Sequence, residues 1–191
     1  MPVERVIFHR MFRQPTGLLG RLGGVIMARV NRNAAAQVTE LLDLTPGDSV
    51  LEIGFGPGIG IELLAQRMSV RFAAGIDPSR EMLAQATARN AAAIAAGWVE
   101  LRQGSADQIP FASGAFDRVM SINSVQAWPD AVAGMREVRR VLKADGQVVL
   151  GFTPYAGHSN DAVIGALAVA GLGEPRVVDA PDVVCMIAAQ S

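Results

Sequence analysis

The stretch Val50-Leu51-Glu52-Ile53-Gly54-Phe55-Gly56-Pro57-Gly58 carries the residues best suited to chemistry. Apolar and β-branched residues enclose an acid, and three glycines follow at every second position. The pattern predicts a buried strand that stops at a tight glycine turn and opens a helix over 60–68. Glycine has no Cβ and tolerates positive φ, so a ligand can lie against bare backbone there. This is a nucleotide site at the carboxyl end of a parallel strand. The glycine spacing fails the dinucleotide fingerprint G-x-G-x-x-G, because Ile59 or Ile61 stands where the last glycine belongs. Glu52 also disfavours a pyrophosphate and suits a cationic group. Asp77 lies 19 residues beyond Gly58, at the end of the next apolar run. A carboxylate at that place can accept both hydroxyls of a ribose. The competing reading is a helix N-cap or an ordinary loop acid, and Asp77-Pro78-Ser79 suits a cap.

The elements that position these groups read as alternating strands and helices. A helix is expected over 33–42 and a turn at Pro46-Gly47-Asp48. Strands are expected over 49–53, 70–76, 98–102, 116–122 and 147–152. Helices are expected after Gly58, from Pro78-Ser79 through Ala96, over 130–142 (closed by Lys143-Ala144-Asp145-Gly146), and over 160–170. Alternation of this kind builds a parallel sheet covered on both faces. Two short strands end the chain, 176–178 and 183–188, and imply an antiparallel partner. At 191 residues, with 50% hydrophobic and 18% charged, one domain with a substantial core is expected. The net charge of −1 argues against a general nucleic-acid binder. It hides an asymmetry: residues 1–33 hold six arginines against one acid, Glu4. One cysteine, Cys185, excludes an internal disulfide and a cysteine-cluster zinc site and fits a reducing compartment. With no run long enough to span a membrane and no signal-like apolar region, a cytoplasmic location is expected.

Further motifs agree with the first. Gly104-Ser105-Ala106-Asp107 precedes Ile109-Pro110-Phe111. Phe116-Asp117-Arg118-Val119-Met120-Ser121-Ile122 is the fourth expected strand, with Asn123 at its carboxyl end. Glu137-Val138-Arg139-Arg140-Val141-Leu142-Lys143 leads into Asp145-Gly146. In this order they resemble the class I S-adenosylmethionine-dependent methyltransferases: E/D-x-G-x-G-x-G, then G-D-A-x-x-L-P-F, then E-x-x-R-V-L-K-P-G-G. The likeness runs from about Val38 to the end of the chain and is greatest to the group of the ubiquinone and menaquinone C-methyltransferases. It implies a Rossmann-like three-layer α/β sandwich, with a mostly parallel seven-stranded sheet and an antiparallel last strand. It divides the chain into a basic N-terminal arm or lid, 1–33, and an S-adenosylmethionine-binding domain, 34–191.

The resemblance also implies roles. Glu52, Gly54, Phe55, Gly56 and Gly58 would bind the cofactor, Glu52 near its cationic group. Asp77 would hold the ribose. Pro78, Ser79 and Met82 would lie beside the adenine. Ser105 stands where the family has an acid, and its hydroxyl with the Ala106 backbone would meet the adenine, Asp107 being the alternative. Asn123 would lie beneath the methionine moiety. No Asn-Pro-Pro-Tyr-like box follows Asn123, which argues against a nucleic-acid amine as acceptor. Trp128 either lines the acceptor cleft or packs. Tyr155 and His158, after the fifth strand, are the candidates for a general base, His158 having the suitable proton affinity; an exposed loop histidine is the competing reading. His9 is a second candidate from the arm. No metal-ligand cluster is seen, so no magnesium is expected. The expected reaction is methyl transfer to a small-molecule or lipid-like acceptor, releasing S-adenosylhomocysteine.

In the arm, Phe8, Met11, Phe12, Leu18, Leu19, Leu22, Val25, Ile26 and Met27 alternate with arginines. A lid, an interfacial segment on anionic lipid and a solvated helix face are its three readings. Glycines 17, 20, 23 and 24 weaken a long helix and favour the lid. The lipid reading suggests a phospholipid N-methyltransferase with peripheral membrane contact. A non-catalytic binding module for S-adenosylmethionine or its product is the alternative from outside enzymology. Charge alone suggests that Asn31-Arg32-Asn33 reaches the cofactor's carboxylate.

Overall fold

The computed structural model describes residues 32–67, 69–154, 156–157 and 159–190. All but the last two residues of the basic arm lie outside this set, as do Tyr155 and His158. A helix covers 32–41 (α1). The order continues β1 Asp48–Ile53, α2 Ile59–Ala65, β2 Val70–Asp77, α3 Arg80–Arg89, α4 Ala91–Ala95, β3 Val99–Gln103 and β4 Phe116–Ile122. A 3-10 turn Val125–Ala127, α5 Ala131–Val141, β5 Leu142–Phe152, α6 Asn160–Val169, β6 Arg176–Ala180 and β7 Val183–Ala189 complete it.

Seven strands form one sheet in the order β3-β2-β1-β4-β5-β7-β6. The pairs from β3 to β5 are parallel. β7 runs antiparallel to both β5 and β6. The expected Rossmann-like sandwich is thus the observed one. β1 is central, flanked by β2 and β4, and all six of its residues are buried. A strand covered on both faces needs apolar residues on both. Val50 packs with α1, α2 and α3 on one face, in a cluster with Val38, Leu64 and Met82. Leu51 and Ile53 pack on the other with Met135 and Val138 of α5 and Leu167 of α6. The order reverses at β1, where α2 leaves β1 for β2 on one side and β4 lies on the other, and ligands bind at such switch points.

Two helix expectations need correction. The helix expected from Pro78 through Ala96 is broken at Asn90, which is buried. Its Nδ2 donates to Ala86 O at 3.0 Å and to Gly58 O at 3.1 Å, so the side chain competes for helix carbonyls and ties α3 to the glycine turn. The stop expected over 143–146 is instead the start of β5. α5 ends at Val141, and Leu142 is already extended (ψ 142°) and paired with Phe116. The bounds elsewhere agree within a few residues. Among the described residues no helix is long and apolar enough to cross a membrane.

Candidate functional site

A cavity of about 620 Å3 opens at the carboxyl ends of β1, β2 and β4. Its floor is the glycine turn. Gly54, Gly56 and Gly58 all have positive φ (76°, 52° and 81°), the backbone that L side chains avoid. The turn is held from inside: Gly54 N–H donates to Ile76 O at 2.8 Å and Gly58 N–H to Phe55 O at 2.9 Å. Gly56 N–H donates to Asp77 Oδ2 at 2.9 Å. These N–H groups are spent on the fold, so they do not form the anion cradle that a pyrophosphate needs.

Glu52 and Asp77 place two buried carboxyls on this floor, 3% and 7% exposed. Glu52 lies against the first turn of α2 and accepts from Ile61 N–H. A Cβ at Gly60 would come within 2.4 Å of its Oε1, so only glycine leaves it room. Its Oε2 is buried and has no hydrogen-bond partner. Burial, offset in part by the Ile61 N–H and reinforced by the charge of Asp77, pushes its carboxyl up to about 8. Asp77 Oδ1 accepts from Ser79 N–H at 2.9 Å. Each oxygen of Asp77 thus holds one backbone N–H and keeps a second lone pair. Burial raises its proton affinity against these two bonds. The helix cap itself is Ser79, whose Oγ accepts from Met82 N–H at 3.3 Å.

The far side is carried by the loop between β3 and β4. Ser105 and Ala106 line the cavity. Ser105 Oγ donates to Asp107 Oδ1, which leaves the serine lone pairs free to accept. The Glu137-x-x-Arg140 pair on α5 clamps this loop. Glu137 Oε2 accepts from Ile109 N–H at 2.9 Å, and Arg140 donates to the carbonyls of Ile109 and Phe111 at 2.8 Å each. The Arg140 hydrogen bonds hold the Glu137 carboxyl below its ordinary range. Asn123 (φ 52°) follows β4, and its Oδ1 accepts from Thr153 N–H at 2.8 Å, joining the ends of β4 and β5. Ala127, Trp128 and Pro129 line the exposed rim, and the buried Ala35 also lines the cavity.

A family described as a methyltransferase domain matches residues 51–150. The chain belongs to this methyltransferase family. An uncharacterized methyltransferase of Bacillus subtilis (strain 168), YdaC, is 33% identical over 70% of this chain and 71% of its own. The ubiquinone/menaquinone biosynthesis C-methyltransferase UbiE of Geotalea uraniireducens (strain Rf4) is 30% identical over 54% of this chain and 45% of its own. Among solved structures, a geranyl diphosphate C-methyltransferase from Streptomyces coelicolor A3(2), in complex with Mg2+, geranyl diphosphate and S-adenosyl-L-homocysteine, superposes with a TM-score of 0.74. It is 18% identical and covers 93% of this chain and 86% of its own.

The cofactor of the methyltransferase is S-adenosylmethionine. The floor fits it, because an unpartnered buried carboxylate oxygen suits a ligand that carries cations and no phosphate. Of the residues singled out in the sequence, Glu52, Gly54, Phe55, Gly56, Asp77, Pro78, Ser79, Met82, Ser105, Ala106 and Asn123 line the cavity. Gly58 and Asp107 do not. Gly58 is the site of close approach to α3, where a Cβ would lie 2.7 Å from Ala86 Cβ. Asp107 stands behind Ser105 as the partner of its hydroxyl. Arg32 pairs with Glu62 on α2 at 2.9 Å rather than lining the cavity. Trp128 lines the cavity and packs on Gly134. Tyr155, His158 and His9 lie outside the described residues. Among those described, no group of His, Cys, Asp and Glu could hold a metal ion. Gly60 and Ser124 were not singled out; a fourth glycine continuing the alternation was the available signal for the first.

Proposed function

We propose that this methyltransferase acts on a small, lipid-like acceptor presented through the apolar rim of the cavity. The observation that carries this reading is the apolar lining: Ala127, Trp128 and Pro129 supply apolar and aromatic surface at the rim, and the buried Ala35 and Ile122 add apolar lining. The likeness to UbiE supports the same acceptor class.

When bound, S-adenosylmethionine supplies an activated methyl on sulfur with a neutral leaving group. The chain then needs chiefly to align the acceptor and exclude water. Glu52 faces the cationic methionyl end with its unpartnered oxygen. Asp77 accepts the ribose hydroxyls with the lone pairs left after Gly56 and Ser79. Met82 packs beside the adenine, and Ser105 with the Ala106 backbone reads its edge. Gly54, Phe55 and Gly56 let the methionyl end approach backbone, and Asn123 shapes the base beneath it. Pro78 and Ser79 fix the turn that aims Asp77. Gly58 and Asp107 support these from behind. Tyr155 and His158 follow β5 in sequence and remain the candidates for removing an acceptor proton.

Calorimetric titration with S-adenosylhomocysteine, with NAD as control, tests the reading. Saturable binding of the first alone is expected, followed by turnover of hydroquinone acceptors. Asp77→Ala is expected to weaken binding by about 1–3 kcal/mol through the lost hydrogen bonds. Binding of NAD alone, or an unchanged affinity in Asp77→Ala, overturns it.

A further inference from the structure

Ser124 follows the end of β4 and touches the floor, the fourth strand and the rim at once. Its Oγ donates to Ile53 O at 2.9 Å. A hydroxyl has one proton and two lone pairs. With the proton on Ile53 O, the Ser121 hydroxyl at 2.6 Å and the Trp128 indole N–H at 3.1 Å are both donors to it. The bonding capacity of the hydroxyl is therefore filled, by three groups from three places in the chain.

Two glycines make this contact available. A Cβ at Gly54 would lie 2.4 Å from Ser124 Cβ, so the bare turn admits the serine. A Cβ at Gly134 would lie 2.4 Å from Trp128 Cε3, so α5 is hollowed to receive the indole ring. Trp128 is thus fixed at its polar tip by Ser124 and on its face by α5, while the ring still lines the cavity. The neighbouring backbone bond from Trp128 N–H to Val125 O (3.1 Å) leaves the ring's direction to these two contacts.

We propose that Ser124 is a positioning residue that holds Trp128 as the acceptor-side wall and ties that wall to the glycine turn carrying the cofactor. This rests on the cavity's being the S-adenosylmethionine site. The acceptor it selects is a flat apolar group that stacks on or slides past the indole, rather than a phosphate or carboxylate.

The test needs no acceptor. Trp98→Phe leaves Trp128 as the single tryptophan of a chain that has two. In that background the indole N–H gives one 15N-correlated signal. It should exchange slowly with solvent, and Trp128 emission should change on titration with S-adenosylhomocysteine. Adding Ser124→Ala should speed indole exchange about tenfold, the factor matching one hydrogen bond. Ser124→Thr, which keeps the hydroxyl, should restore slow exchange. A merely structural serine would lower the melting temperature in the alanine variant and leave the indole exchange relative to backbone amides unmoved. Should the alanine variant not fold, Ser124→Cys, a weaker acceptor of similar shape, should move exchange in the same direction. Indole exchange that ignores Ser124 refutes the proposal. So does Trp128 emission that stays constant while calorimetry shows the ligand bound. Absence of calorimetric binding defeats the cofactor reading instead, a different and separable outcome.

Discussion

Glu52 makes the sharpest prediction, because its burial is expensive and its partner is missing. In the free protein its carboxyl titrates near 8, against an ordinary value of 4.5. Each tenfold change in proton affinity is about 1.4 kcal/mol, so this difference stands for roughly 5 kcal/mol of folding free energy. The sign follows from proton counting. Between 4.5 and about 8 the folded chain holds the Glu52 proton and the unfolded chain has lost it. Stability from this group is therefore full below 4.5 and declines as pH rises to about 8, beyond which both states are ionised. Asp77, also raised, acts in the same direction. Glu137, which is lowered, acts oppositely and at lower pH.

Glu52→Gln keeps the shape and removes the titration. Denaturant unfolding from pH 5 to 9 should show the wild type losing stability relative to this variant as pH rises, by a few kcal/mol in all. Entry of a cation should discharge the Glu52 proton. With its carboxyl pushed up to about 8, Glu52 is mostly protonated at neutral pH, so binding should release a proton. Calorimetry in two buffers of different ionisation enthalpy counts it. Release with both S-adenosylmethionine and S-adenosylhomocysteine assigns Glu52 to the shared ammonium; release with the first alone assigns it to the sulfonium. Parallel stability curves for wild type and Glu52→Gln, together with binding heats independent of buffer, would refute the reasoning.

Two further substitutions probe the frame. Gly54→Ala places a side chain at φ 76° and against Ser124, so it should cost about 1–3 kcal/mol in unfolding experiments and abolish S-adenosylhomocysteine binding. Arg140→Ala removes the donors that hold the carbonyls of Ile109 and Phe111 and leaves Glu137 only the Ile109 N–H. Amide exchange over 104–111 should then quicken about tenfold, with a matching loss of cofactor affinity and little change in the exchange of β1; an unaltered loop would show that Arg140 is dispensable to it.

The part of the site that was legible in the sequence is the part built from backbone. Glycines at alternate positions after Ile53, and an acid at the end of the next strand, signal a bare turn and a carboxylate because those properties belong to the residues themselves. The strand and helix alternation likewise follows from local pattern. What escaped depends on contacts between distant segments. Asn90 breaks a helix because Gly58 O lies within its reach, 32 positions away. β5 begins at Leu142 because Phe116 pairs with it.

The same division explains the rim. Ser124 matters because Gly54, 70 positions earlier, has no side chain, and Trp128 faces inward because Gly134 makes room for it. Neither Ser124 nor Gly134 announces its role alone: a serine and a helical glycine are ordinary in isolation. The floor of the cavity is thus specified by residue type at fixed local spacing, and the rim by mutual fit. A change at the rim can therefore be absorbed by a compensating change across the cavity, whereas Gly54 or Asp77 has no substitute that keeps its backbone or its paired lone pairs. Selection for a new acceptor should accordingly move the Ser124, Trp128 and Gly134 set together and leave the floor alone.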